Sequence, residues 1–166
     1  MIHVPARDPF QVFGLPRTLD LDERALEARY LKLSRDSHPD LHRSAGTIDC
    51  IAVLQRAAEV NDAWKVLRDP WQRARALLEL ESPGALDRNK KLDPAFLGDA
   101  LDLAEEVAFA SGEAVPALRL RLEQALDADF AQLREELTRR SFDAAARRLH
   151  ASHYHWKALR DLEAKR

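Results

Sequence analysis

The segment RYLKLSRDSHPDLHRSAG (residues 29–46) joins a helical pattern to a polar turn. Leu26, Tyr30 and Leu33 recur at spacings of four and three, which is typical of one face of an α-helix. Pro39 disfavours the helical conformation in the residue before it, so this helix is predicted to end near His38. His38, Pro39 and Asp40 are therefore expected in a loop that faces water.

A second helical pattern follows the polar turn. It runs roughly from Thr47 to Leu67, and its apolar face includes Ala57, Val60 and Trp64. Two helices joined by a short loop form an antiparallel hairpin. The sequence therefore predicts a hairpin with His38–Pro39–Asp40 at its tip.

The rest of the chain also has helical periodicity, with helix starts marked by three Asp-Pro pairs. At Asp8–Pro9, Asp69–Pro70 and Asp93–Pro94, aspartate can accept hydrogen bonds from free N–H groups while proline fits the first turn. Ser141 is expected to cap the last helix in the same way. A leucine stripe from Leu118 to Leu137 marks the helix before it. No β pattern competes, so we predict an all-α protein.

Breaks in this pattern divide the chain into domains. Ser82–Pro83–Gly84 and the charged run to Lys91 interrupt the periodicity and predict a linker. We therefore expect a hairpin domain at 1–80, a linker at 81–92 and an antiparallel three-helix bundle at 93–166.

Composition limits the function classes. The net charge is −2, from 26 basic and 28 acidic residues among 166, so nucleic acid is not the expected partner. The single cysteine allows no internal disulfide and no thiolate zinc cluster. No apolar run approaches the roughly 20 residues of a membrane span, and residues 1–9 lack the apolar core of a signal peptide. We expect a cytoplasmic protein without membrane contact.

The residues at the tip leave alternatives open. His-Pro is also found in ordinary turns, and His38 with His42 makes a weak metal pair because no third ligand is in register. Arg29, Lys32 and Arg35 recur every three residues, which fits either a solvated face or a binding face.

The ordered set of features resembles the J-domain of the DnaJ-type co-chaperones. The resemblance covers about residues 8–80 and depends on the basic helix, the HPD tripeptide, the second helix and VNDAWKVLRDPWQRA (residues 60–74). It implies that His38, Pro39 and Asp40, with Arg29, Lys32 and Arg35, bind a DnaK-type chaperone and stimulate its ATP hydrolysis. The chain itself would then not be an enzyme and would have no catalytic residues.

The second half is similar to the HscB-type co-chaperones of iron–sulfur cluster assembly. The likeness lies in LRDPWQRARALLEL (67–80), DPAFLGDALDLAEEV (93–107) and FDAAARRL (142–149). It implies that the bundle binds an IscU-type scaffold protein and presents it to an HscA-type chaperone. The residues that correspond to the family's scaffold-binding surface are Leu97, Leu101, Asp102, Glu105 and Tyr154. Gly98 and Asp102 depart from the family pattern.

Other interpretations remain beside this one. Leu97 and Leu101 also fit a core stripe, and a J-domain protein with a different client or a helical interaction module would share much of the pattern. His150, His153 and His155 do not share one helix face, so no metal site and no bound cofactor are predicted.

Overall fold

The computed structural model describes residues 7–38 and 47–165, with side chains in the third helix described from residue 51 onward. Every regular element in these ranges is a helix, which confirms the all-α fold. The chain divides into two compact units, Met1–Leu80 and Glu81–Arg166. The helices are α1 (Pro9–Phe13), α2 (Glu23–Asp36), α3 (Thr47–Arg68), α4 (Pro70–Glu81), α5 (Ala85–Arg88), α6 (Pro94–Phe109), α7 (Ala114–Thr138) and α8 (Phe142–Glu163).

The three Asp-Pro pairs start helices as predicted. Asp8 accepts from the Phe10 N–H at 2.9 Å, and Asp69 accepts from the Trp71 N–H at 2.8 Å. Asp93 accepts from the Ala95 N–H at 2.7 Å. Ser141 occupies the N-cap position of α8 as predicted, but its side chain makes no capping hydrogen bond.

The first unit is built on the hairpin of α2 and α3, with α1 packed against both. Its core contains Phe10, Phe13, Leu26, Val60 and Leu67, all at most 2% exposed. The rings of Tyr30 and Trp64 stack with centroids 4.5 Å apart, and the Tyr30 hydroxyl donates to Asn61 Oδ1 at 3.0 Å. These contacts fix α2 against α3.

Arg73 of α4 connects separate parts of this unit through buried hydrogen bonds. It is 4% exposed, and its Nε donates to the Leu67 carbonyl at 2.7 Å while Nη1 donates to the Leu19 carbonyl at 2.6 Å. Burial lowers the pKa of the guanidinium, and the charges of Glu23, Asp69 and Asp20 oppose that shift. The side chain thus joins the end of α3 and the segment before α2 to α4.

In the second unit, α8 packs against α5, α6 and α7. The predicted leucine stripe of α7 is buried from Leu118 to Leu137. Asp129 of α7 is 8% exposed and accepts from Arg148 Nη1 at 3.4 Å, with His155 Nδ1 at 2.7 Å from its other oxygen. This polar cluster fixes the register between α7 and α8.

The segment predicted as a linker, 81–92, differs in the structure because it contains α5 and lies in the second unit. Ala85 and Leu86 are buried, and the Leu86 carbonyl lies 2.9 Å from His150 Nε2 of α8. Two apolar side chains thus anchor a segment that is otherwise rich in charged residues. No helix within residues 7–38 and 47–165 is both long and apolar enough to cross a bilayer.

Candidate partner-binding surfaces

The tip of the hairpin begins where α2 ends. α2 stops at Asp36, close to the predicted end near His38, and the Ser37 hydroxyl donates to the Leu33 carbonyl at 2.8 Å. His38 follows and is exposed, with its backbone N–H donating to the Arg35 carbonyl at 3.0 Å. Pro39 and Asp40 lie outside the described residues.

The predicted basic face of α2 divides into two parts. Arg29 Nε donates to the Phe13 carbonyl, and an ideal Cβ on Gly14 would lie 2.7 Å from the Arg29 guanidinium. Gly14 has φ +60°, so glycine suits both the left-handed turn after α1 and the close approach of this arginine. Arg29 therefore braces α1 against α2 while its side chain stays partly in water.

Lys32 and Arg35 are exposed and form no ion pair with another residue in the described part of the chain. At about 100° per residue, Arg35 lies opposite the buried Leu26, and so does Arg24. Leu31 lies on the same side, between Arg24 and Arg35 along the helix axis, and is 56% exposed. Arg24 and Leu31 were missed by the sequence analysis, although their spacing to Arg35 of eleven and four residues signals one shared face.

A groove between α6 and α8 brings together three of the predicted scaffold-binding residues. Its volume is about 260 Å³, and Leu97, Leu101 and Tyr154 line it. Leu97 is 42% exposed and Leu101 is 62% exposed, so both leucines lie at the rim and outside the core. The Tyr154 ring meets Phe96 edge to face at 5.6 Å. The other lining residues are Ala100, Ala104, Val107, Lys157, Ala158 and Asp161.

The predicted acidic residues, Asp102 and Glu105, are exposed on α6 but do not line this groove. Glu105 lies about 40° around the helix from Leu101 and so borders the groove side. Asp102 lies about 140° from Leu97, which directs it away from the groove. Glu105 therefore lies closer than Asp102 to the apolar residues of the groove.

Lys157 and Asp161 are groove residues that the sequence analysis missed. They follow Tyr154 by three and seven residues, a spacing that signals the same face of α8. Lys157 Nζ donates to Asp161 Oδ2 at 2.8 Å. This hydrogen bond, with the charges of Lys157 and Arg160, lowers the pKa of the Asp161 carboxyl.

The three histidines of α8 have separate surroundings. His150 meets the Leu86 carbonyl, His155 meets Asp129, and His153 is exposed with its ring 6.3 Å from the Tyr154 ring. No group of three potential metal ligands converges within the described ranges.

The chain has a partial sequence match to a known co-chaperone. No protein-family model matches the chain. The co-chaperone HscB homologue of Haemophilus influenzae is 43% identical over 102 residues, which are 60% of this chain and 59% of the relative. The alignment thus covers less than two thirds of that protein.

Solved structures extend the likeness over both units. Chaperone HscB from Vibrio cholerae matches with a TM-score of 0.82 and 28% identity, over 96% of this chain and 97% of that one. The human co-chaperone HscB matches with a TM-score of 0.85 over 99% of this chain and 85% of the human one, and at 24% identity it shows the fold alone.

A helical hairpin with α1 packed against it, followed by a helical bundle with an exposed groove, defines a J-domain protein with an appended helical domain. Within that class, the chain is similar in sequence to the HscB homologue of Haemophilus influenzae and in fold to chaperone HscB from Vibrio cholerae.

Proposed function

We propose that the chain is a cytoplasmic co-chaperone in iron–sulfur cluster assembly. It stimulates ATP hydrolysis by a DnaK- or HscA-type chaperone and delivers an IscU-type scaffold protein to it. The observation that carries the proposal is the likeness of both helical units to chaperone HscB from Vibrio cholerae, over 96% of this chain.

In the first unit, the chaperone would bind the tip and the exposed side of α2. An anion at Asp40 can pair with an arginine of the partner, and the fixed φ of Pro39 reduces the entropy lost on docking. Lys32 and Arg35 are exposed and would favour an acidic partner surface. Arg29 would act mainly by bracing α2, because its guanidinium is already bonded to the Phe13 carbonyl.

In the second unit, the scaffold would bind at the groove between α6 and α8. Leu97 and Leu101 supply exposed apolar anchors, and Tyr154 supplies an aromatic wall. Partly exposed aromatic and aliphatic side chains beside a cavity are common centres of binding energy. Asp102 and Glu105 would add an acidic border. The chain contributes no catalytic residue and no cofactor, since ATP is hydrolysed on the partner.

ATP turnover by the partner chaperone tests the first part. We expect the wild-type chain to raise steady-state turnover, and His38→Gln or Asp40→Asn to remove the stimulation while the helical circular dichroism is unchanged. His153→Gln is the matched control, because it replaces an exposed histidine in the other unit, and it should stimulate fully. Full stimulation by either tip variant would contradict the proposal.

Direct binding of the scaffold, measured by calorimetry, tests the second part. Truncating an anchor residue costs about 1–2 kcal/mol, so Leu97→Ala/Leu101→Ala should weaken binding about 30-fold or more. Leu120→Ala is the control, because Leu120 is 56% exposed on α7 and does not line the groove. Equal affinity of the double variant and the control would rule out this surface.

A second candidate is a J-domain co-chaperone for a different client. Gly98 favours it, because this residue beside Leu97 departs from the family pattern at a position where an added Cβ would meet nothing within 4 Å. In that case the scaffold would not bind, while ATP turnover would still rise with the wild-type chain.

A further inference from the structure

The α8 wall of the groove carries the ion pair of Lys157 and Asp161. Both residues line the groove together with Leu97, Leu101 and Tyr154. Their side chains are 53% and 43% exposed, so the pair lies at the rim. Lys157 is the only cationic side chain among the lining residues that the structure describes.

The α6 wall is acidic. α6 contains Asp99, Asp102, Glu105 and Glu106 and no basic residue. Glu106 pairs with Arg121 of α7. The other three acids form no ion pair with any residue in the described ranges. The apolar groove thus lies between an acidic helix and a helix that presents one lysine.

We propose that Lys157 is a specificity-determining residue that fixes the orientation of the bound scaffold. Its ammonium receives a carboxylate of the scaffold on the α8 side, while Glu105 and its acidic neighbours receive a basic residue on the α6 side. A bound segment with separated charges then fits in one direction and is disfavoured in the reverse direction. This inference rests on the proposed scaffold-binding function.

The chemistry of Lys157 suits this role. An ammonium has three N–H donors, and the Asp161 carboxylate occupies one at 2.8 Å, so donors remain for a partner. The aliphatic part of the side chain extends the apolar lining of the groove. Asp161, one helical turn away, restrains the side chain before binding, which reduces the rotamer entropy lost on docking.

Removing only the charge gives the first test. Lys157→Met keeps an unbranched apolar side chain, and we expect the scaffold to bind about fivefold more weakly, the effect of one charged hydrogen bond at a rim. Binding should also depend less on salt between 50 and 300 mM NaCl, because one interprotein ion pair is lost.

Moving the charge gives the second test. Lys157→Asp/Asp161→Lys keeps an i,i+4 ion pair on α8, in the order that stabilises helices better, but places the cation one turn away. We expect at least a fivefold loss of affinity without a lower melting temperature. The control is Glu135→Arg/Arg139→Glu, which exchanges another i,i+4 pair, at the C-terminal end of α7 and outside the groove, and should bind like wild type.

The outcomes separate this inference from the proposed function. If the wild-type chain does not bind the scaffold, the proposed function fails. If the wild-type chain binds and Leu97→Ala/Leu101→Ala does not, but both Lys157 variants bind within twofold of wild type, the orientation role of Lys157 is wrong and the groove assignment stands. Loss of affinity in both Lys157 variants, with the α7 control unchanged, supports the inference.

Discussion

Replacing Arg73 by methionine should destabilise the first unit strongly. Arg73 is 4% exposed and donates to the Leu67 and Leu19 carbonyls at 2.7 and 2.6 Å. Hydrogen bonds to charged groups contribute about 1.5–3 kcal/mol each, and methionine removes both of them, although the Leu19 carbonyl keeps the Leu21 N–H at 3.0 Å. The desolvation of a buried guanidinium, which also lowers its pKa, offsets part of this sum. We expect a net loss of about 2–4 kcal/mol in the free energy of unfolding.

Hydrogen exchange read by mass spectrometry suits this prediction because it reports the two units separately. Amides of α3 and α4 should lose protection by about 30-fold or more in Arg73→Met, since each 1.4 kcal/mol is a factor of ten. Amides of α7 should not change. Arg68→Met, an exposed arginine at the end of α3, is the matched control and should stay within about 0.5 kcal/mol of wild type.

Unchanged protection of α3 and α4 in Arg73→Met would refute the reasoning. It would show that water or another donor replaces the guanidinium at the Leu67 carbonyl and that the Leu21 N–H is enough for the Leu19 carbonyl. Equal loss in the Arg68 control would show that any arginine-to-methionine change at this end of the unit is destabilising.

Three further predictions concern the second unit. Gly98→Ala should raise its free energy of unfolding by about 1 kcal/mol, because an added methyl meets nothing within 4 Å and alanine favours the helix, as thermal unfolding can measure. Asp129→Asn should lower it by about 2 kcal/mol in urea unfolding, because Arg148 and His155 lose a buried anionic partner. Because the pKa of Asp161 is lowered in the folded state, its pairing with Lys157 stabilises the fold above the unfolded pKa of about 3.9. This stabilisation is lost as pH falls through the folded pKa. Lys157→Met should therefore reduce the dependence of the free energy of unfolding on pH below about 4.

Each of these predictions has a contradicting result. A lower melting temperature in Gly98→Ala would mean that the site is not open to a side chain. Unchanged urea stability in Asp129→Asn would mean that the polar cluster is not needed for the packing of α7 on α8. Identical pH profiles of the wild type and Lys157→Met would mean that the ion pair is absent in solution.

The helices could be predicted from the sequence because their causes are local. Asp8, Asp69 and Asp93 each cap a helix through the next two or three residues, so the sequence itself contains the interaction. Ser141 shows the limit, because it has a capping side chain in the right position and does not use it.

Features that depend on distant residues could not be predicted. Arg29 looked like a free basic residue, but its acceptor lies sixteen positions earlier at Phe13. The acceptor of Arg73 at Leu19 lies 54 positions earlier in the chain, and only packing brings the two residues within reach. The segment 81–92 looked like a linker because its charges outnumber the two apolar side chains that anchor α5.

The candidate groove was predictable in part. The apolar residues Leu97 and Leu101 came from the resemblance to the HscB-type co-chaperones, and the structure brings them beside Tyr154. The angle of about 100° per residue places Asp102 on a different side of α6 from the groove. This division could not be predicted from the sequence, because it requires knowing which face of α6 lies against α8. Lys157 and Asp161 could not be assigned to the groove from the sequence, because their place in it depends on the packing of α8 against α6.

The central claim is that one chain couples an ATPase-stimulating tip to a client-binding groove. The most direct measurement is ATP turnover by the partner chaperone, with the scaffold and the chain each present alone and then together. We predict that the two together raise turnover by more than the sum of their separate effects, and that Leu97→Ala/Leu101→Ala reduces the turnover to that sum. Additive turnover with the wild-type chain would contradict the claim.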